Sequence, residues 1–218
     1  MILETMNNAE IAREIKKDMP CIFKKTEWLI AKVKRNMLKS KTFPYNECID
    51  YKSPNKNDWF ISITFTTKKI LMYIPINIHR TTKGLRFAMQ SDGSGTIAFY
   101  NSHMINRYAE RENLNTKSSI ETAKEFFKTH NAIPIHEVDQ MPDGTINIIA
   151  PTNKGALYGF RTPDGIVTMN TYISNNTLCD KKKEILNASR LELEPLMNQW
   201  ETKSKIPREI THDTKSYV

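Results

Sequence analysis

The residues best placed to do chemistry stand together in Ser102-His103-Met104-Ile105-Asn106-Arg107-Tyr108-Ala109-Glu110-Arg111. On an α-helix, His103, Asn106, Arg107, Glu110 and Arg111 fall at i, i+3, i+4, i+7 and i+8 and form one polar stripe. Met104, Ile105, Tyr108 and Ala109 supply the opposite, buryable stripe. An imidazole beside two guanidiniums can grip a phosphodiester and move a proton near it. With Asn101 or Ser102 as the cap, His103 falls in the first turn as general acid or base. Arg107 and Arg111 follow one and two turns along, placed to bind phosphate or to stabilise charge on a pentacoordinate phosphorus. The plainer alternative is a solvated helix face on which Arg107 and Glu110 form an i,i+3 ion pair.

The elements that must position this stripe are legible on both sides of it. From Asn8 to Ser40 the chain reads as helix, broken or kinked at Pro20. Ile11, Ile15, Met19, Ile22, Trp28, Leu29, Ala31, Val33 and Met37 hold its apolar positions. A linker rich in Pro, Asn and Lys is expected from Thr42 to Asn57. The period then changes to two. Trp59–Thr66, Ile70–Ile78, Leu85–Gln90 and Thr96–Tyr100 read as four strands of a meander. The striped helix follows, then a second helix announced by the capping-box spacing of Ser118 and Glu121. A second β block is expected through Ile133–Val138, Thr145–Ala150, Ala156–Arg161 and Ile166–Ile173, with Pro-Asp-Gly turns at 142–144 and 163–165. A closing helix between Leu178 and Trp200, with Pro195 as kink or restart, precedes a polar tail, 201–218, read as disordered. The pattern is α+β: an antiparallel sheet with helices between two β blocks, residues 58–200, preceded by a basic helical extension, residues 1–42.

The helix of residues 102–111, followed by a β block whose last strand carries Thr171-Tyr172-Ile173, resembles the arrangement in RelE-like toxins. These belong to the barnase, EndoU, colicin and RelE superfamily of metal-independent ribonucleases. The resemblance spans roughly residues 102–174 and implies that His103, Arg107, Arg111 and Thr171 face an RNA backbone. The 2′-hydroxyl would be the attacking nucleophile, with neither metal nor cofactor. The chain departs from the compact toxins in its longer segment between helix and last strand, and in all that precedes the motif. Strict alternation also sets Thr171 with Val167, Met169 and Ile173 on an apolar face, leaving Thr168 and Tyr172 as alternatives.

Composition narrows the partner. The 218 residues carry 32 Lys and Arg against 24 Asp and Glu, a formal net charge of +8, which favours an anionic ligand. The basic excess concentrates in the first helix, where Lys24, Lys25, Lys32, Lys34 and Arg35 form a candidate phosphate-tracking face. Trp28 and Trp59 are candidates for base stacking, though a Trp at a helical apolar position is more often core. Cys21, Cys48 and Cys179 are widely spaced with no C-x-x-C pair, the pattern of reduced thiols in a cytoplasmic protein. No run approaches the roughly 20 apolar residues of a membrane span, and no zinc, nucleotide-loop or dinucleotide motif occurs.

Two functions are therefore weighed. One is a metal-independent endoribonuclease of toxin type, acting on RNA rather than DNA and opposed by a protein inhibitor. The other is a non-catalytic nucleic-acid-binding or protein-interaction accessory protein, of the kind carried by mobile elements. Neither needs a cofactor or a membrane.

Overall fold

The computed structural model describes residues 1–69, 71–91, 95–130 and 133–177. A 30-residue helix, α1 (Asn8–Met37), opens the chain. The Asn7 side chain accepts from the Glu10 amide at 3.0 Å, and the Glu10 carboxylate accepts from the Asn7 amide at 2.8 Å, closing a capping box. Ile11, Ile15, Met19, Ile22, Leu29, Val33 and Met37 line its buried stripe. The helix runs through Pro20 without the expected break. Pro20 and Lys16 both lie on the exposed side, so the carbonyl left without an amide partner faces water. Burial of Ile15, Met19 and Ile22 contributes about 1.5–3 kcal/mol each, and the three together exceed the roughly 3 kcal/mol an interior proline costs.

Residues 42–57 are not a linker. They contain β1 (Tyr45–Lys52), which pairs antiparallel with β2 (Asp58–Phe65) in an unbroken register from Tyr45↔Phe65 to Lys52↔Asp58. β1 is an edge strand with no fully buried side chain, and its apolar residues are interspersed with Asn46, Glu47 and Asp50, so its periodicity is diluted. The expected meander continues with β3 (Leu71–Thr81), β4 (Gly84–Gln90) and β5 (Ile97–Asn101). Two helices follow, α2 (Ser102–Arg111) and α3 (Ser119–Thr129). Then come β6 (His136–Gln140), β7 (Ile146–Pro151), β8 (Gly155–Arg161) and β9 (Val167–Ser174).

The nine strands of the described residues join one sheet in the order β1-β2-β3-β4-β5-β9-β8-β7-β6. Neighbours are antiparallel except at the centre, where β9 lies parallel to β5 through Ala98↔Val167, Phe99↔Thr168 and Tyr100↔Met169. The chain places two meanders side by side, and the parallel join needs the long crossover that α2, α3 and β6 to β8 provide. This is the α+β architecture expected, with that central exception to an antiparallel sheet.

Helices pack on both faces of the sheet. On one, Phe60, Ile76, Phe87, Tyr100, Leu157, Met169 and Tyr172 pack against Met104, Ile105 and Tyr108 of α2 and Ala123, Phe126 and Phe127 of α3. On the other, α1 covers the first meander. Its N-terminal half packs on Trp59, Ala88, Ile97 and Phe99, and its C-terminal half on Ile61, Ile63 and Phe65. A polar lock fixes this second layer: Asp18 is fully buried and accepts from Asn55 Nδ2 at 2.7 Å, Asn57 Nδ2 at 2.8 Å and Trp59 Nε1 at 3.0 Å. No helix among the described residues is long and apolar enough to cross a membrane. The closing helix and tail expected from Leu178 onward lie outside the described residues, as does Cys179.

Candidate functional site

The helix bearing the polar stripe forms as its residues dictate. Asn101 caps it, its side chain accepting from the Met104 amide at 2.8 Å. Met104, Ile105 and Tyr108 point into the core, and Tyr108 meets Phe126, His130 and Tyr172 edge-on at centroid distances of 5.0, 5.4 and 5.1 Å. His103, Arg107 and Glu110 are therefore turned to solvent.

The stripe does not converge on one point. Arg107 Nη1 donates to Glu110 Oε2 at 2.9 Å, the local i,i+3 pair, and with both side chains about half exposed it contributes a few tenths of a kcal/mol at most. Asn106 Oδ1 accepts from Ser119 Oγ at 3.0 Å, tying α2 to α3. Arg111 donates through Nη1 to the main-chain carbonyl of Tyr172, so it reaches the last strand through a backbone contact. His103 has solvent around it. The open cleft nearby, about 430 Å³, is lined by Asn106, Glu110, Asn113, Lys117, Ser118 and Thr122, without His103, Arg107 or Arg111.

Thr171 lies on the far side of the sheet from this helix. Tyr158 pairs with Thr171 while Gly159 pairs with Met169, leaving exposed Asn170 as the extra residue of a β-bulge. The bulge inverts the alternation, so Val167, Met169 and Tyr172 share the core beneath α2, whereas Thr171 and Ile173 share the opposite face with Tyr158 and Ala156. Gly159 makes the bulge possible, because a Cβ there would strike the Thr168 carbonyl. Of the alternatives for the strand position, Thr168 lies on the α1 face opposite Phe99, and Tyr172 lies in the core and donates to Glu112 Oε1 at 2.7 Å.

Beneath the C-terminal end of α2 the structure gathers residues that the sequence left scattered. Glu112 receives Tyr172 and stands 3.7 Å from Lys154 Nζ, while His130 stacks on Phe126 with its Nδ1 3.0 Å from the Phe126 carbonyl. Burial, as the largest cause, lowers the His130 pKa to about 4, and burial together with the bond to Glu112 raises that of Tyr172. The cluster joins the ends of α2 and α3 to β9 and the β7–β8 turn, and Tyr172 and His130 are almost wholly enclosed. Its geometry is that of a buried polar lock between elements. No local motif could have found it, because its members are 60 residues apart along the chain.

The five basic residues singled out on α1 lie on its outer side. Lys24, Lys32, Lys34 and Arg35 are exposed, Lys25 is partly exposed, and none of the five makes an ion pair among the described residues. Trp28 does not belong to the apolar stripe: its residue surface is 58 % exposed, whereas Trp59 is 1 % exposed. Lys24 and Lys25 precede Trp28 by four and three positions, and Lys32 and Arg35 follow by four and seven, so the indole sits among cations. Lys25 Nζ lies 4.2 Å from the centroid of the Trp28 ring. Phe23, also on the outward side, is 40 % exposed. Glu27 is the one carboxylate from residue 24 to residue 41.

No protein-family model matches this chain, and comparison with curated proteins and with solved structures returns no significant match.

Proposed function

We propose that this protein binds nucleic acid, RNA in preference to DNA, through the outward face of α1, and that it acts as a binding or accessory protein rather than a nuclease. The observation that carries this reading is the exposed Trp28 indole ringed by Lys24, Lys25, Lys32 and Arg35. Cations spaced along a helix track phosphates, and an uncovered indole offers a face on which a base can stack. An indole left in water exposes apolar area that an adjacent core would otherwise bury, at about 25 cal/mol per Å². The sheet beneath is filled on this side by Leu29, Val33 and Met37, and among the described residues Trp28 and its neighbouring lysines stay exposed on the outward face.

The test is binding of an oligoribonucleotide and the matching deoxyribonucleotide at low and physiological salt. Trp28→Ala should weaken binding by about 1–3 kcal/mol, the range for one stacked base, with the fold unchanged by circular dichroism. Equal binding by wild type and Trp28→Ala would remove the stacking face and with it the reading.

The endoribonuclease reading retains one support, the exposed His103 in the first turn of α2 with Arg107 one turn along. Its expected strand residue faces the other way, because the bulge at Asn170 turns Thr171 from α2, while Tyr172, on the α2 side, is buried beneath the helix.

A further inference from the structure

The outward side of α1 carries a longer pattern than the cluster around Trp28. Arg13, Lys24 and Arg35 stand eleven residues apart, and Lys17, Trp28 and Lys39 repeat that interval four positions later. Eleven residues make three helical turns to within about 20°, so each series runs nearly straight along the axis and advances about 16.5 Å per interval. All six residues are exposed, with Lys39 just past the helix end at Met37. The row spans about 33 Å from Arg13 to Arg35. Pro20, also exposed, does not interrupt it, because the helix continues through that position.

Most of these cations have no counter-ion. Arg13, Lys24, Arg35 and Lys39 make no ion pair among the described residues. Glu14 is already shared between Lys17 Nζ at 2.6 Å and the terminal amino group at 3.0 Å. Glu27 precedes Trp28 by one residue and so stands about 100° round the helix, on one margin of the row. A straight line of cations on a convex surface matches phosphates that follow one another along a single extended strand. A duplex winds its phosphates about its own axis, and the A-form major groove is too deep and narrow for side chains to read. Trp28 makes the same choice of ligand. Bases inside a duplex cover one another's faces, whereas an unpaired base has a face to lay on an indole, and Trp28 is 58 % exposed between Lys24 and Arg35.

Resting on the reading of α1 as a nucleic-acid face, we infer that its ligand is single-stranded RNA laid lengthwise along this row. Phosphates sit on Arg13, Lys24 and Arg35, and one base stacks on Trp28. Arg13, more than three turns before Trp28, thereby joins the binding surface at its far end.

The experiment measures binding of the full-length protein to a labelled oligoribonucleotide of about 12 nucleotides, without self-complementarity, alone and annealed to its complement. Salt is held near 0.1 M, where exposed charges more than about 10 Å apart are largely screened. The single strand should bind about tenfold or more tightly than the duplex, the order that one stacked base supplies. Trp28→Ala should remove most of that preference and Trp28→Phe should keep it. Arg13→Glu and Arg35→Glu, at opposite ends of the row, should each weaken the single strand and flatten its salt dependence. With a strand too short to reach from Trp28 to Arg13, Arg13→Glu should have no effect while Lys24→Glu still weakens binding. A duplex bound as tightly as the single strand, or a long strand indifferent to Arg13→Glu, would overturn the lengthwise single-strand track and leave α1 standing as a nucleic-acid face. Absence of binding by both forms of RNA would remove that face, and the track with it.

Discussion

The Asp18 carboxylate, in the N-terminal half of α1, accepts the indole N–H of Trp59 at 3.0 Å on the adjacent sheet. With Asn55 and Asn57 donating to the same group, one buried charge registers the helix against the β1–β2 loop and so fixes which face of α1 looks outward. Asp18→Ala leaves the buried Asn57 and Trp59 donors without an acceptor, at about 1–3 kcal/mol each. A loss of roughly 3 kcal/mol or more in urea unfolding is expected, and a variant as stable as wild type would show that the lock contributes nothing.

Tyr108 is the second anchor, touching Phe126, His130 and Tyr172 beneath α2. Tyr108→Ala should cost about 3–5 kcal/mol, the range for losing a large buried aromatic. Denaturant midpoints measure it directly, and His103→Ala, on the exposed side of the same helix, should change them by less than about 0.5 kcal/mol.

Stability should fall on the acid side of neutrality because of two buried histidines. Burial, as the largest cause, lowers the pKa of His79 to about 3 and of His130 to about 4, and Arg86 adds to the effect on His79. Their unfolded pKa is about 6.5. Between those values the unfolded chain binds more protons than the folded one, so stability is complete above about pH 6.5 and declines as pH falls toward 4. Each histidine adds up to about 1.4 kcal/mol per pH unit to that slope. His130→Phe should flatten the decline, and an unchanged slope would mean that His130 is not buried neutral.

Salt dependence tests the basic face. Affinity for generic RNA should fall steeply between about 50 and 200 mM salt as condensed counter-ions are released. Reversing Lys24, Lys25, Lys32 and Lys34 to Glu should flatten the dependence of log affinity on log salt. An unaltered slope would place the phosphate contacts elsewhere on the protein.

Cleavage tests the alternative. A ribonuclease using 2′-hydroxyl attack would cut RNA in excess chelator, spare DNA and leave cyclic phosphate or 3′-phosphate ends. His103→Ala would then lose about 100-fold to 10,000-fold in rate, and Arg107→Lys would be impaired because an ammonium lacks the planar fork. RNA that stays intact through prolonged incubation with wild-type protein leaves binding as the activity.

The sequence by itself determined whatever depends on neighbours along the chain. The 3.6-residue spacing of Ile11, Ile15 and Met19 made α1, and the period-two runs made the two meanders. Asn101 and Ser118 stopped strand or loop and began helices, because a side-chain oxygen at that position satisfies an amide that the helix cannot. Even the Arg107–Glu110 pair is local chemistry, written in its i,i+3 spacing.

Tertiary structure decided what depends on which element lies against which. Trp28 and Trp59 are the same residue type, yet one is on the water side of α1 and the other is pinned under it by Asp18. Pro20 failed to break the helix because it fell on the solvent side of a stripe buried on the sheet. Thr171 left the face of α2 because one extra residue opposite Gly159 inverted the alternation; a glycine inside a strand was the one sign of it in the sequence. Arg86, His79 and Asn8 met only when α1 was laid across β3 and β4. Local spacing fixes a side chain's direction relative to its own backbone, whereas burial, pairing and charge compensation are set by distant segments, and those are the properties that make a site.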